Sequence, residues 1–199
     1  WVLLLGYSRI MHISKFRIVK YNYLTKKTID RIYNLDIKTF GKDNTWDKDY
    51  QRDIYNRNND SLFAIKYKHE FAGYINYLNI KEEEYDRLKR IRKTPNTIEL
   101  DNIIPFKTNR KNYILIESIN TKKEYEKEGT IILISNKLKS FINLKHHRRI
   151  YINGIITLAT SDFEKQIYEY MHFTKIKELD DNTYIYELKE EDIKRDYLQ

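Results

Sequence analysis

Four segments between residues 113 and 173 decide the fold: YILIESI (Tyr113–Ile119), GTIILISNKLKSFINL (Gly129–Leu144), IYINGIITL (Ile150–Leu158) and DFEKQIYEYM (Asp162–Met171). The first and third segments are short and rich in β-branched residues, which favours β-strands. The second and fourth segments carry apolar residues at helical spacing. The sequence therefore predicts strand, helix, strand and helix in this order, which is typical of a sheet that contains parallel neighbours.

The residues before this region predict one strand, two helices and a hairpin. They are a strand at Phe16–Tyr21, a helix from Thr25 or Thr28 to Thr39, a helix at Trp46–Arg57, and hairpin strands at Leu62–Tyr67 and Phe71–Leu78 around a three-residue turn. Gly41 follows the first helix at the position of a C-terminal cap. Gly73 lies inside a strand, which indicates a bulge or the close approach of another backbone.

The remaining segments complete a mixed α/β sheet. Residues 80–111 include a charged helix and are interpreted as an insertion, because their own apolar core would be too small for a domain. A last strand pair, Phe173–Leu179 and Thr183–Leu188, precedes a charged tail from Glu190 onward. We expect one domain over residues 11–199, in which helices flank a mostly antiparallel sheet, and a start-site extension over residues 1–10.

The composition excludes several classes of protein. The chain of 199 residues has no cysteine, which excludes disulfides, a thiolate zinc site and a cysteine nucleophile. Its longest uncharged apolar run, Trp1–Tyr7, is too short to cross a bilayer, so we expect no membrane partner and a cytoplasmic location. The formal net charge is +8 at pH 7, but Lys and Arg are spread along the chain, so a nucleic-acid partner is compatible with the charge and not favoured.

The segment Ile167–Phe173, IYEYMHF, ends the fourth helix of the domain and enters the next strand. It resembles the apolar-Tyr-Glu-Lys-apolar-Gly-Phe run of the GCN5-related N-acetyltransferases (GNAT), with Tyr170 in place of Lys and His172 in place of Gly. The predicted order of elements over Phe16–Leu188 is also the order of that family, with residues 80–111 as extra length. The resemblance implies a sheet that is splayed between its fourth and fifth strands and binds acetyl-CoA there.

The turn before the long helix is similar to the family's phosphate-binding turn, with Glu126 at its first position, Gly129 at its central glycine and Ile131 at its last, normally small position. Free N–H groups at a helix start attract a pyrophosphate, and glycine lets it come close. The alternative is that Gly129 is only a turn glycine before a buried helix. The resemblance implies acetyl-CoA contacts at these positions: Lys127, Glu128, Gly129, Thr130 and Ile131, Ile119 on the strand, and Ser161, where the family often has Asn.

Two residues are candidate catalytic groups. The resemblance implies that Tyr168 is the general acid, and a phenol with a pKa of about 10 suits a proton donor. Alternatively, Tyr168 packs against the sheet as one of 18 tyrosines. Strand alternation places Glu117 on one face with Tyr113, Leu115 and Ile119, where burial would raise its pKa and make it a base for the acceptor amine. Alternatively, Glu117 faces solvent or forms a salt bridge.

The function predicted by these features is that of an acetyl-CoA-dependent N-acetyltransferase, which passes the acetyl group directly to an amine without a metal. The acceptor stays open between a small molecule and a protein, and we expect a monomer or a homodimer. The alternative function is a catalytically degenerate member of the fold that binds a protein or a nucleic acid. The run His146–Arg149 is interpreted as a basic loop, within reach of an anionic substrate or the cofactor's 3′-phosphate, and not as a metal site.

Overall fold

A seven-stranded sheet forms the centre of the computed structural model, which describes residues 15–20, 26–58, 62–95 and 98–198. The strands are β1 (Phe16–Lys20), β2 (Leu62–Tyr67), β3 (Glu70–Ile80), β4 (Lys111–Thr121), β5 (Tyr151–Ala159), β6 (Thr174–Glu178) and β7 (Tyr184–Lys189). The helices are α1 (Lys26–Phe40), α2 (Lys48–Arg57), α3 (Glu82–Arg90), α4 (Glu128–His147), α5 (Asp162–Tyr170) and α6 (Glu190–Asp196).

The strands follow one another across the sheet in the order β1-β2-β3-β4-β5-β7-β6. The pair β4–β5 is parallel, and the other five pairs are antiparallel. The long helix α4 joins the two parallel strands, because parallel neighbours need a crossover that returns the chain to the same end of the sheet. The predicted mixed, mostly antiparallel α/β sheet is confirmed.

The sheet separates two apolar cores. One core lies under α4, α5 and α6 and contains Ile116 and Ile119 of β4. The other lies under α1, α2 and α3 and contains Tyr113 and Leu115 of the same strand. Helix α3 belongs to residues 80–111, whose interpretation as an insertion stays a prediction. Both faces of β4 are therefore buried, as expected of a central strand.

Two glycines have the roles that the sequence predicts. Gly41 follows α1 with φ of 82°, and its N–H donates to the Ile37 carbonyl oxygen at 2.9 Å. With ψ of 159° this residue lies in a backbone region that is open essentially to glycine alone, so Gly41 ends the helix without adopting the left-handed helical conformation of the common cap. Gly73 lies where β3 meets β4 closely, since a Cβ atom there would lie 2.8 Å from Thr121 Cα and overlap the Asn120 carbonyl oxygen. The pairing of β2 with β3 also shifts beside it, as a bulge does.

Two predictions about chain connections are wrong. The hairpin turn has two residues, Lys68 and His69, because Glu70 already pairs with Tyr67 in the sheet. Lys68 has φ of 54°, a left-handed conformation that tight hairpin turns require. The charged tail after β7 is the helix α6, which forms because Ile193 anchors it in the core beneath α4 and α5.

Some predicted boundaries move by a few residues. Strand β4 continues to Thr121, two residues beyond the segment Tyr113–Ile119 that the sequence predicts as a strand. Residues 80–111 also contain a 3-10 turn at Leu100–Asn102. The cap predicted at Thr25 and the extension over residues 1–10 lie outside the described residues.

Candidate active site

The sheet opens between β4 and β5. The two strands pair from Lys111 and Tyr151 up to Ile116 and Thr157, and the pairing stops there. Strand β4 continues to Thr121 with β3 as its partner, and the end of β5 stays paired with β7. Alternate backbone N–H and C=O groups along the last five residues of β4 therefore point away from β3 into the opening. The predicted splay between the fourth and fifth strands is confirmed.

A β-bulge lies at the edge of this opening. Asn76 of β3 pairs with Ser118, and Tyr77 pairs with Ile116, so Glu117 is the extra residue on β4. The bulge reverses the alternation of the strand, which places the Ile119 side chain under α4, opposite to the face that Leu115 occupies. The prediction that Tyr113, Leu115, Glu117 and Ile119 share one face is therefore wrong, because regular alternation does not continue across a bulge.

Glu117 is partly buried at the opening. Its Oε2 atom accepts a hydrogen bond from Asn76 Nδ2 at 3.1 Å. The pKa of Glu117 is raised to about 8, because burial and the charges of Asp36 and Glu164 together outweigh the Asn76 hydrogen bond, which lowers it. A carboxyl group with this pKa exchanges its proton near neutral pH, which suits a general base.

A second carboxylate, Asp36 of α1, is buried behind Glu117. It is not among the residues predicted from the sequence. It is 4% exposed, and three donors surround it: Tyr74 Oη at 2.8 Å and Asn120 Nδ2 at 2.8 Å on Oδ1, and Gln51 Nε2 at 2.9 Å on Oδ2. The pKa of Asp36 is raised to about 6, because burial outweighs the three hydrogen bonds, which lower it. The available signal was its position within the apolar stripe of a helix, where a carboxylate needs partners.

Tyr168 of α5 packs on the other face of the sheet. It is 1% exposed, and its ring centroid lies 5.6 Å from that of Phe173 and 5.7 Å from that of Tyr186. Burial and the charge of Glu164 raise its pKa well above the usual value, and a hydrogen bond with Thr157 lowers it. Thr157 marks the apex of the opening, where its Oγ1 donates to the Ile116 carbonyl oxygen at 3.0 Å.

Tyr168 and Glu117 also influence each other electrostatically, because the charge of Glu117 raises the pKa of Tyr168. The fold therefore brings both predicted catalytic residues to the region where β4 and β5 separate. A role for Tyr168 as proton donor stays a prediction, since its close packing equally fits a residue of the core.

The start of α4 uses most of its polar groups within the protein. The Thr130 hydroxyl donates to the Tyr125 carbonyl oxygen at 2.6 Å, and the N–H groups of Thr130 and Ile131 donate to the Lys127 carbonyl oxygen at 2.8 and 3.2 Å. The Gly129 N–H has no hydrogen-bond partner among the described residues. It lies in the first turn of a 20-residue helix, where the helix dipole is positive.

The charges beside this turn are partly balanced. Glu126 Oε2 forms an ion pair with Lys123 Nζ at 2.8 Å, while the side chains of Lys127 and Glu128 are exposed. The neighbouring Tyr125 ring packs edge-on against Phe16, which anchors the turn to the sheet. Of the residues predicted to contact the cofactor at this turn, Lys127, Glu128 and Gly129 face outward, whereas Thr130 and Ile131 are buried.

The remaining predicted residue, Ser161, caps α5. Its Oγ accepts a hydrogen bond from the Glu164 N–H at 3.2 Å and donates to Glu164 Oε2 at 3.1 Å, which completes a capping box. Its hydroxyl proton is thus already used. His172, where the resembled run has Gly, has φ of 62°, and a left-handed residue explains why glycine fits that position.

The basic loop His146–Arg149 lies at the other end of the molecule. His146 and His147 are the last two residues of α4, whose 20 residues extend about 30 Å, so only Arg148 and Arg149 belong to the predicted loop. A pyrophosphate at the Gly129 turn would not leave a cofactor phosphate beside this run, because the two lie at opposite ends of the helix. Among the described residues there is no group of three or more His, Asp or Glu able to hold a metal ion, and no helix long and apolar enough to span a membrane.

No protein-family model matches the sequence, and no curated protein matches it. Solved structures match most of the chain. The loading GNATL domain of CurA from Lyngbya majuscula has 8% identity and a TM-score of 0.65, covering 88% of this chain and 98% of that one. NAA60 from Arabidopsis thaliana, in complex with acetyl-CoA, has 12% identity and a TM-score of 0.58, covering 87% and 99%. Naa50 from Arabidopsis thaliana, with the bisubstrate analogue CoA-Ac-MVNAL, has 12% identity and a TM-score of 0.56, covering 88% and 99%. The chain has the fold of the GCN5-related N-acetyltransferases.

Proposed function

We propose that this protein is an acetyl-CoA-dependent N-acetyltransferase that passes the acetyl group directly to an amine. The observation that carries the proposal is the opening between β4 and β5, with Glu117 bulged at its edge and a pKa of about 8. Perturbed carboxyl groups at a cleft are candidate acid–base catalysts. Two of the similar structures contain acetyl-CoA or a CoA-containing analogue, which supports acetyl-CoA as the donor.

The residues present suit acetyl-CoA at two places. Beyond Ile116, the free edge of β4 offers backbone donors and acceptors to the amide groups of the pantetheine arm, and Ile119 would contribute through its backbone because its side chain is buried. At the start of α4, the Gly129 N–H and the positive end of the helix suit a pyrophosphate, and the exposed Lys127 adds a positive charge beside it. Acetyl-CoA supplies the activated acetyl group.

Glu117 would act on the acceptor. An amine arrives as an ammonium ion, and the Glu117 carboxylate takes its proton so that the nitrogen lone pair can attack the thioester carbonyl carbon. A C–N bond forms, the C–S bond breaks, and the thiolate takes a proton, while the nitrogen releases its second proton, which restores the donor. Tyr168 is the proposed donor to the thiolate, because a pKa well above 10 keeps its phenol protonated at neutral pH.

Thermal unfolding with and without acetyl-CoA tests the proposal. A ligand at 100 times its dissociation constant stabilises the folded state by about 2.7 kcal/mol, which raises the Tm of a chain of this length by about 5–10 °C. ATP at the same concentration controls for general phosphate binding. Gly129→Asp should abolish the shift, because it adds bulk and negative charge at the helix start, whereas Ser140→Asp at an exposed position of the same helix should retain it.

Acetylation of a panel of amines and peptides completes the test. We expect Glu117→Gln to bind acetyl-CoA with an unchanged thermal shift and to lose most of the acetylation rate. The absence of a shift at millimolar acetyl-CoA would overturn the transferase proposal and favour the second candidate, a degenerate binding module. That candidate has one specific support, the scarcity of free polar groups at the start of α4.

A further inference from the structure

The end of the sheet opposite the opening carries an exposed basic surface that the proposed transferase does not use. It is formed by five exposed cations from two loops: Lys107, Arg110, Lys111, Arg148 and Arg149. The segments 104–111 and 146–151 contain no Asp or Glu. None of the five side chains forms an ion pair among the residues that the structure describes. This basic end surface therefore concentrates positive charge that forms no ion pair within the described part of the chain, although the charge of Lys111 contributes, after Lys194 and Asn153, to the lowered pKa of Glu190.

The fold holds the two loops together. Asn112, 1% exposed, accepts the Lys107 N–H at 2.8 Å and donates to the carbonyl oxygens of Lys107, Arg110 and Tyr151 at 2.9, 2.8 and 3.1 Å. The Asn109 N–H donates to the Arg149 carbonyl oxygen at 2.7 Å. The cations thus project from loops whose backbones are fixed before any partner binds, which lowers the entropy lost on binding.

A cavity of about 420 Å³ opens beside these cations and contains an aromatic platform. It is lined by Arg110, Lys111, His146, Tyr151 and Asn153, among others. Tyr151 is 41% exposed, and the His146 ring packs against it with centroids 5.6 Å apart. Glu190 also lines the cavity, where its Oε2 accepts a hydrogen bond from Asn153 Nδ2 at 2.7 Å.

We propose that the basic end surface and this cavity bind single-stranded nucleic acid. Cations that track a phosphate backbone, combined with an exposed aromatic ring for a base to stack on, are the two elements of such sites. A membrane surface fits less well, because the site is concave and its exposed ring is flanked by fixed loops. The site lies about 30 Å from Gly129, so its ligand is independent of the transferase chemistry.

The binding of a 5′-labelled 15-nucleotide oligo(U), followed by fluorescence anisotropy, tests the proposal. Backbone-directed binding to nucleic acid has a dissociation constant of about 10 µM near physiological salt. For single strands, log K falls with log salt by about 0.7 per phosphate contact, so five contacts give a slope of about −3.5. At 0.1 M salt each contact then contributes a factor of about 5 to affinity.

Arg110→Ala/Lys111→Ala should weaken binding about 25-fold and change the slope to about −2. The matched control is Arg92→Ala/Lys93→Ala, an adjacent, exposed Arg–Lys pair on another part of the chain, which should bind as the unmodified protein does. Tyr151→Ala should weaken binding about tenfold through lost stacking, while Tyr170→Ala, 51% exposed on α5, should not. Circular dichroism confirms that each variant is folded.

Three results would overturn the proposal: no saturable binding at 100 µM protein in 50 mM salt, equal losses in the control pair, or equal affinity for polyphosphate or for anionic phosphatidylserine vesicles. The same titration with oligo(dT) shows whether the site prefers RNA or DNA, and a preference for either supports the site. Gly129→Asp should leave oligonucleotide binding unchanged, so failure of the transferase proposal and failure of this one are separable.

Discussion

Replacing Glu117 by Gln should stabilise the protein, and the gain should grow with pH. Glu117 has a pKa of about 8 in the folded protein against 4.5 for the unperturbed group. The folded state therefore binds this proton more tightly than the unfolded chain, so stability falls as the pH rises from about 4.5 to about 8 and then levels off. The full difference corresponds to about 4–5 kcal/mol above pH 8 and about 3 kcal/mol at pH 7.

Partial exposure of the side chain reduces these values, so we expect Glu117→Gln to gain about 2 kcal/mol at pH 7, about 3 kcal/mol at pH 9 and little at pH 5. Gln keeps an oxygen for the hydrogen bond from Asn76, so the comparison isolates the ionisation. Urea unfolding at five pH values between 5 and 9 measures the difference, and about 2 kcal/mol moves the midpoint by about 1 M. Glu124→Gln, on an exposed turn, controls for the loss of a carboxylate. A gain that is constant across this range would refute the reasoning, because it would mean that Glu117 ionises alike in both states.

Three further predictions each concern the substitution of one residue. Gly73→Ala should cost about 2–3 kcal/mol in urea unfolding, because the added Cβ meets the β4 backbone rather than a movable side chain; a loss below 0.5 kcal/mol would contradict the close approach. Tyr168→Phe should lower kcat about 100-fold and leave the acetyl-CoA thermal shift intact; unchanged kcat would assign Tyr168 to packing alone. His172→Gly should raise Tm by about 2 °C, because glycine adopts φ of 62° without strain, and a lower Tm would count against that account.

Much of the fold was accessible from the sequence because local patterns agreed with one another. The β-rich runs, the helical spacing around α4 and α5, and the run ending at Phe173 all indicate the same order of elements. The terminating Gly41 is a chemical signal that acts within four residues of where it is read. Such short-range signals can be read from the sequence without knowledge of the tertiary structure.

The geometry of the site was harder to predict from the sequence, because it depends on backbone irregularities that no particular residue type indicates. The assignment of Glu117 to a face used strict alternation, and one extra residue in β4 was enough to reverse the strand beyond it. The tail forms α6 because Ile193 packs into a core made by other helices. The charged residues around Ile193 in the sequence give no sign of this contact. The burial of Thr130 and Ile131 likewise depends on how deeply α4 sits on the sheet.

The pairing of Asp36 with Glu117 leads to a final prediction, since these carboxylates come from segments 81 residues apart and each raises the free energy of the other's charge. Asp36→Asn removes a negative charge that raises the pKa of Glu117, so the acetylation rate should reach its plateau at a lower pH than in the unmodified protein. The variant should fold, because Asn keeps one oxygen for Tyr74 and the Gln51 amide can rotate to offer its unpartnered Oε1 to the new N–H group. The pH profile of kcat measures the effect. A profile that stays in place in a folded, active variant would mean that the proton which limits catalysis belongs to a group other than Glu117.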